Sequence, residues 1–238
     1  MEQVQICHMD DHFVVVNKPP GMLVHKTNMD INVKITLMQI LGNQLGRKVY
    51  PVHRLDKGTS GTNIFSFDAH TSDYFRLAFI EKRVEKIYYA ICRGWLDEEV
   101  LVDHPVYTST LKNKAEAVTR ITPLAQAEIG VPVGPYEKSR YTLVKAEPQT
   151  GRWHQIRQHC SHLRHPIIKD GRHGDYRHNR MFLEKYDVES VLLHAGQISF
   201  EHPDELISVC TTAKFPKFWI PVLSDMGWFY LPELQSFL

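Results

Sequence analysis

The string His53-Arg54-Leu55-Asp56-Lys57-Gly58-Thr59-Ser60-Gly61 places one acidic side chain in a polar stretch just ahead of a β-prone run. A carboxylate in such a loop can act as a base or a nucleophile. It can equally be a turn residue bonding nearby backbone N–H groups, the common fate of Asp beside Gly. Residue types alone leave both readings open. A second cluster, His154, His159, His162 and His165, lies on one helical stretch and raises the question of a metal. No HExxH string and no carboxylate at ligand spacing accompanies it, so helix packing or contact with a partner is preferred to zinc. The four cysteines, Cys7, Cys92, Cys160 and Cys210, form no CxxC pair and read as four buried thiols rather than a disulfide framework.

The formal charge of the 238 residues is only +1, which argues against a protein that coats a polyanion without selectivity. The distribution is uneven. Arg152, Arg157, Arg164, Lys169, Arg172, Arg177 and Arg180 face only Asp170 and Asp175 within one segment, and acidic residues follow from Glu184 to Glu205. Such segregation either presents a basic face to nucleic acid or is balanced in three dimensions. A hydrophobic share of 43% is enough for a buried core without metals or disulfides. No run reaches the roughly 18 apolar residues of a membrane span, and the first residues lack the pattern of a secretory signal. A cytoplasmic protein is expected.

The elements that must hold these groups follow from periodicity. Val4–Cys7 and Phe13–Asn17 read as a hairpin that Pro19-Pro20-Gly21 ends. Val33, Leu37, Ile40, Leu41 and Leu45 predict a helix, Thr62–Phe67 a strand, Ser72–Lys82 a helix and Lys86–Arg93 a strand stopped at Gly94. Strands around Val118–Ile121 and Tyr141–Ala146 flank a Gly- and Pro-rich excursion. Trp153–Leu163 predicts a short helix that Pro166 terminates, with Arg157 and Arg164 on one side if it reaches that far. A polar loop follows, then strands at Val191–Phe200 and Ile207–Thr211. Without regular βα alternation, the expected class is α+β, a mixed, mostly antiparallel sheet with packed helices. No linker divides residues 1–238, so a single domain is expected.

Five strings in order resemble the RluA-type family of RNA pseudouridine synthases. His53 to Gly61 is similar to the family's HRLDxxTSG, Asn17-Lys18-Pro19-Pro20-Gly21 to NKPxG, and Lys86-Ile87-Tyr88-Tyr89-Ala90 to KxYxA. Thr150-Gly151-Arg152-Trp153-His154-Gln155-Ile156-Arg157 is similar to TGRxHQ(I/L)R, and Leu193-His194-Ala195 to LHA. The resemblance implies the pseudouridine synthase catalytic fold without a separate S4-type RNA-binding domain. It implies isomerisation of uridine in RNA with no cofactor and no metal.

The same resemblance implies roles. Asp56 is the essential carboxylate, with Arg157 keeping it ionised. Tyr88 packs on the target base, and Tyr89, its neighbour on the strand, points the other way. Arg54 displaces the base and takes its place in the stack, as a planar cation can. His53, Arg152, Arg164, Arg177 and Arg180 are further candidates for holding substrate. Within the family, Lys138-Ser139-Arg140-Tyr141, His173-Gly174-Asp175-Tyr176 and Met226-Gly227-Trp228 resemble members that act on tRNA at uridine 65. The partner implied is RNA, tRNA ahead of rRNA, with no membrane and no obligate protein partner. The sequence departs from that subgroup at Lys57-Gly58, where Arg-Pro is usual, at Lys169, where Gly is usual, and at Trp153, where a smaller or basic residue is usual. The competing readings are an RNA-binding relative without activity and an unrelated metal-dependent hydrolase. Intact Asp56, Tyr88 and Arg157 weigh against the first, and the histidine spacing against the second.

Overall fold

A computed structural model describes residues 3–26, 35–205 and 207–238. The chain opens with β1 (Gln5–Met9), β2 (Phe13–Lys18), α1 (Leu37–Leu45), β3 (Tyr50–Pro51), β4 (Ser60–Ser66) and α2 (Ala69–Ile80). It continues through β5 (Glu85–Arg93), β6 (Val100–Asp103), β7 (Val106–Tyr107), β8 (Lys114–Ala115), β9 (Val118–Ile129) and β10 (Ser139–Pro148). Then come α3 (Gln155–His162), α4 (Tyr176–Tyr186), β11 (Leu193–Glu201), β12 (Ser208–Thr212), α5 (Trp219–Asp225) and a 3-10 turn at Pro232–Phe237. This is an α+β fold whose strand pairings are mostly antiparallel. The chain divides into two compact units. The first takes residues through Lys86 with Ala195–Phe215 and Phe237, and the second takes Ile87–His194, Pro216–Ser236 and Leu238.

In the first unit β2 lies between β1 and β4, antiparallel to both, and β4 has β11 as its next neighbour. The run Phe13-Val14-Val15-Val16 is buried throughout because both faces of this sheet are covered. Val14 and Val16 meet Leu37, Ile40 and Leu41 of α1 with Phe65. Phe13 and Val15 face the other way, onto Phe75 and Ala78 of α2 with Ile198, Phe200 and Val209. Thr36 caps α1 in a reciprocal box with Gln39, and Asp68 caps α2 through the Thr71 N–H. Val33, expected to open the first helix, lies outside the described residues.

In the second unit β10 runs antiparallel to β5 on one side and β9 on the other, and β6 borders β9. Ala90, Cys92, Val144 and Ala146 build its core with Ile156 and Cys160 of α3 and with Ile167 and Leu193. Here three expectations are corrected. The strands β9 and β10 reach Ile129 and back from Ser139, so the Gly- and Pro-rich excursion shrinks to the tip of a hairpin. Pro123 is accommodated where the register shifts. The polar loop expected after Pro166 contains α4, capped by the Asp175 side chain on the Arg177 N–H and seated by Met181, Phe182 and Tyr186. Helix α3 stops at His162, and Arg164 stands beyond it at φ 64°, so Arg157 and Arg164 do not share a helix face. The thiols differ from the expectation too: Cys92 and Cys160 are buried, Cys7 is half-buried and Cys210 is exposed.

Candidate active site

The loop between β3 and β4 carries Asp56. The Thr59 N–H donates to the Asp56 carbonyl at 3.1 Å, which closes a tight turn. The Lys57 carbonyl accepts from the Gly21 N–H at 2.8 Å and from Lys18 Nζ at 3.1 Å, and Lys18 Nζ also donates to the Pro19 carbonyl at 2.9 Å. Lys18 is wholly buried. Burial pushes its ammonium down to about 7, against the pull of the Asp56 charge, so a titrating cation sits beneath the loop.

His53 anchors the start of the loop. Its Nε2 accepts the Ile64 N–H at 3.0 Å, and its ring lies 5.1 Å from that of Phe79. Burial, with a smaller contribution from the Lys86 charge, pushes His53 down to about 3 and keeps it neutral. Gly61 has φ 112°, a region open to glycine, and a Cβ there would overlap the Ala195 backbone. Leu55 is buried, Asp56 is half-buried and Arg54 is exposed.

On β5, Tyr88 stands opposite Ala146 and Tyr89 opposite Lys145. Tyr88 shares a face with Ala90 and Cys92 and packs on their cluster. Tyr89 is buried, and burial, with the charges of Glu233 and Glu147, pushes its phenol up to about 12. The two tyrosines therefore meet different surroundings, as strand alternation requires.

Arg157 is held from several sides. The Gln155 side chain accepts from Thr150 Oγ1 and the Arg152 N–H and donates to the Val118 carbonyl and Thr119 Oγ1, which fixes the turn ahead of α3. Arg157 Nε and Nη2 then donate to the two carboxylate oxygens of Asp170 at 2.7 and 2.8 Å. That carboxylate also accepts the Arg172 and His173 N–H groups at 2.9 Å. Burial alone would raise the Asp170 carboxyl, but the Arg157 bonds and charge with the two N–H groups hold it below the ordinary range. Arg157 Nη1 lies 2.7 Å from His154 Nε2, and His154 Nδ1 lies 3.0 Å from His173 Nε2. A guanidinium can only donate, so His154 accepts at Nε2 and donates from Nδ1 to His173.

Comparisons with known proteins show the family. The family model for RNA pseudouridylate synthase matches residues 12–162. The chain is 37% identical over 236 residues to a "tRNA pseudouridine synthase C" of Vibrio parahaemolyticus, covering 95% of this chain and 96% of that one. A protein of the same name from Vibrio cholerae is 37% identical over 235 residues, covering 94% and 96%. The chain belongs to the RNA pseudouridylate synthase family. The solved structure of "Human RNA Pseudouridylate Synthase Domain Containing 1" aligns with a TM-score of 0.72 at 24% identity over 94% of this chain and 88% of that one, a likeness of fold.

The synthase family's matched span contains Asp56, Tyr88 and Arg157 and ends before Asp170. Asp56 lies in the first unit, and Tyr88 and Arg157 in the second. The basic segment is not uniform. Arg180 Nε donates to Glu184 at 2.7 Å, and Arg177 lies 3.8 Å from Asp175. Arg152 is exposed with Nε on the Glu116 carbonyl, and Arg164 is exposed. Two of the clustered histidines serve packing: His159 is buried between Thr119 Oγ1 and the His104 carbonyl, and His162 stacks on His104 at 3.9 Å. Among the described residues no group of three His, Cys, Asp or Glu side chains could hold a metal, and no helix is long and apolar enough to cross a membrane. Sequence reasoning missed Asp170 and His154 as the residues that hold Arg157. Asp170 lies beyond the matched span, and its only signal was the unusual Lys169 before it.

Proposed function

We propose that the protein converts uridine to pseudouridine in tRNA, at uridine 65, acting in the cytoplasm as a single catalytic domain and without an obligate protein partner. The observation that carries this reading is the similarity of about 37% along nearly the whole chain to proteins named tRNA pseudouridine synthase C. The reaction breaks the bond from N1 of uracil to the ribose, turns the base, and joins C5 to the same carbon. A proton leaves C5 and one is taken up at N1, so no oxidant, water or cofactor is consumed.

In this reading the Asp56 carboxylate acts on the uridine, as nucleophile or as base, on a loop that backbone bonds hold in place. Arg157 supplies the positive charge that favours an ionised catalytic carboxylate, and Tyr88 packs on the uracil and takes part in removing the proton from C5. Arg54, exposed on the same loop as Asp56, occupies the stack that the base vacates. Arg152 and Arg164 hold phosphates. Arg177 and Arg180 rank behind them, because Asp175 and Glu184 already engage them. His53 acts through the loop it anchors.

Site-resolved pseudouridine mapping of total RNA, with and without the gene and with an Asp56→Ala copy restored, tests this. Loss of pseudouridine 65 in tRNA that only the intact copy restores is the expected result. Loss of an rRNA site instead would keep the chemistry and overturn the substrate, and no change at any site would overturn the activity.

A further inference from the structure

The surface beside Arg157 carries a layered stack that the catalytic reading does not use. The His154 ring covers one face of the Trp153 indole at 3.8 Å between centroids and 16° between planes. The guanidinium of Arg172 lies over the indole with its carbon 4.8 Å from the ring centre. The order is fixed from below. The Arg172 and His173 N–H groups both donate to Asp170, the residue that grips Arg157, and His173 meets His154 edge-on through their 3.0 Å hydrogen bond.

Arg172 is exposed, and among the described residues no carboxylate pairs with it. That distinguishes it from Arg157, Arg177 and Arg180 in the same basic segment. A guanidinium stacked on an aromatic face keeps its five N–H donors in its own plane, directed away from the ring. The stack also restricts the side chain before any ligand arrives, which lowers the ordering cost of binding. A cation without an acid, held over an aromatic face at the surface, fits a tetrahedral oxyanion.

We propose that Arg172, seated on Trp153, takes a backbone phosphate of the substrate RNA. The proposal rests on the tRNA reading above. It gives the segment a phosphate ligand that its charge count did not single out.

The test is anisotropy of a labelled tRNA transcript bound by the full chain across a salt series, with melting curves to confirm that each variant is folded. Arg172→Gln is expected to weaken binding about tenfold and to reduce the slope of log affinity against log salt by about 0.7 to 0.9. Trp153→Leu, which keeps the charge but removes the seat, is expected to weaken binding severalfold with the slope retained, and Arg172→Lys to retain the slope. Arg120→Gln, which removes an exposed cation paired to Glu99, serves as the control and is expected to change neither quantity. An unchanged slope in Arg172→Gln, or the same loss in Arg120→Gln, overturns the proposal. Conversion of uridine in the same transcript by the unaltered protein is measured in parallel. No conversion overturns the functional reading, whereas conversion with an unchanged Arg172→Gln slope overturns this inference alone.

Discussion

The loop that carries Asp56 and the helix that carries Arg157 are fixed in different currencies. The loop is tied down largely through its own carbonyls: the Lys57 carbonyl receives the Gly21 N–H and Lys18 Nζ, and the Thr59 N–H closes on the Asp56 carbonyl, with the His53 ring bonded to the Ile64 N–H at its start. Arg157 is tied down through side chains, Asp170 on one edge and His154 on another. The difference teaches which substitutions each region tolerates. A carbonyl anchor is indifferent to the side chain that bears it, so Lys57-Gly58 in place of Arg-Pro leaves these bonds in place. A side-chain grip depends on each partner, and one deletion strands a buried charge.

The largest effect should come from breaking the grip. Asp170→Ala is expected to destabilise the fold by about 3–5 kcal/mol in denaturant unfolding, since Arg157 would keep its charge in a site built for the pair. A loss below about 1 kcal/mol would show that the pair is not a buried one in energetic terms. On the loop side, Gly61→Ala should cost about 3 kcal/mol through positive-φ strain and overlap with the Ala195 backbone. A melting temperature equal to that of the unaltered protein would refute the close approach.

The buried Lys18 adds a pH dependence with a definite sign. Below pH 7 the ammonium is charged both folded and unfolded, and the full penalty of burial is present. Between about 7 and 10.5 the folded state sheds the proton first, so the penalty is relieved and stability rises with pH. From pH 7 to 9 the protein should gain on the order of 2 kcal/mol relative to Lys18→Met, whose profile lacks this rise. Parallel profiles would remove the titration from Lys18. The smallest effect belongs to the turn under Asp170. Lys169 has φ 61°, and Lys169→Gly should stabilise by about 0.5 kcal/mol, the relief of left-handed strain less the added freedom of the unfolded chain. Any destabilisation would mean that the lysine side chain contributes more than its backbone costs.

Much of this was legible in residue order. The apolar run of β2, the Pro-Pro-Gly stop and the alternation of Tyr88 and Tyr89 follow from local sterics and period-2 burial, which need no knowledge of distant residues. The departure at Lys169 was visible as well, and the positive φ found there is why glycine would be expected. Helix α4 was hidden because its polar residues dominate the composition, while its seat is long-range: Tyr141 bonds His178 at 2.8 Å, and Arg93 bonds Asp175 at 2.6 Å. The Asp175 cap and the buried Met181 and Phe182 were the available local signals. Asp170 escaped for the same reason, since it returns to Arg157 only after the chain has turned twice at Arg164 and Lys169.

The division of the chain also orders its assembly in time. The second unit is drawn mainly from one continuous stretch, Ile87–His194, and most of it can pair as it is made, before Pro216–Ser236 is added. The first unit depends on strands made much later. β4 waits for β11, and Phe13, Val15 and Ile64 wait for Ile198, Phe200 and Val209, more than a hundred residues later. Until then a growing chain carries an unpaired strand edge beside an uncovered apolar face, the features that recruit chaperones or lead to aggregation. Closing so long a loop also carries an entropic cost that the local pairings of the second unit do not.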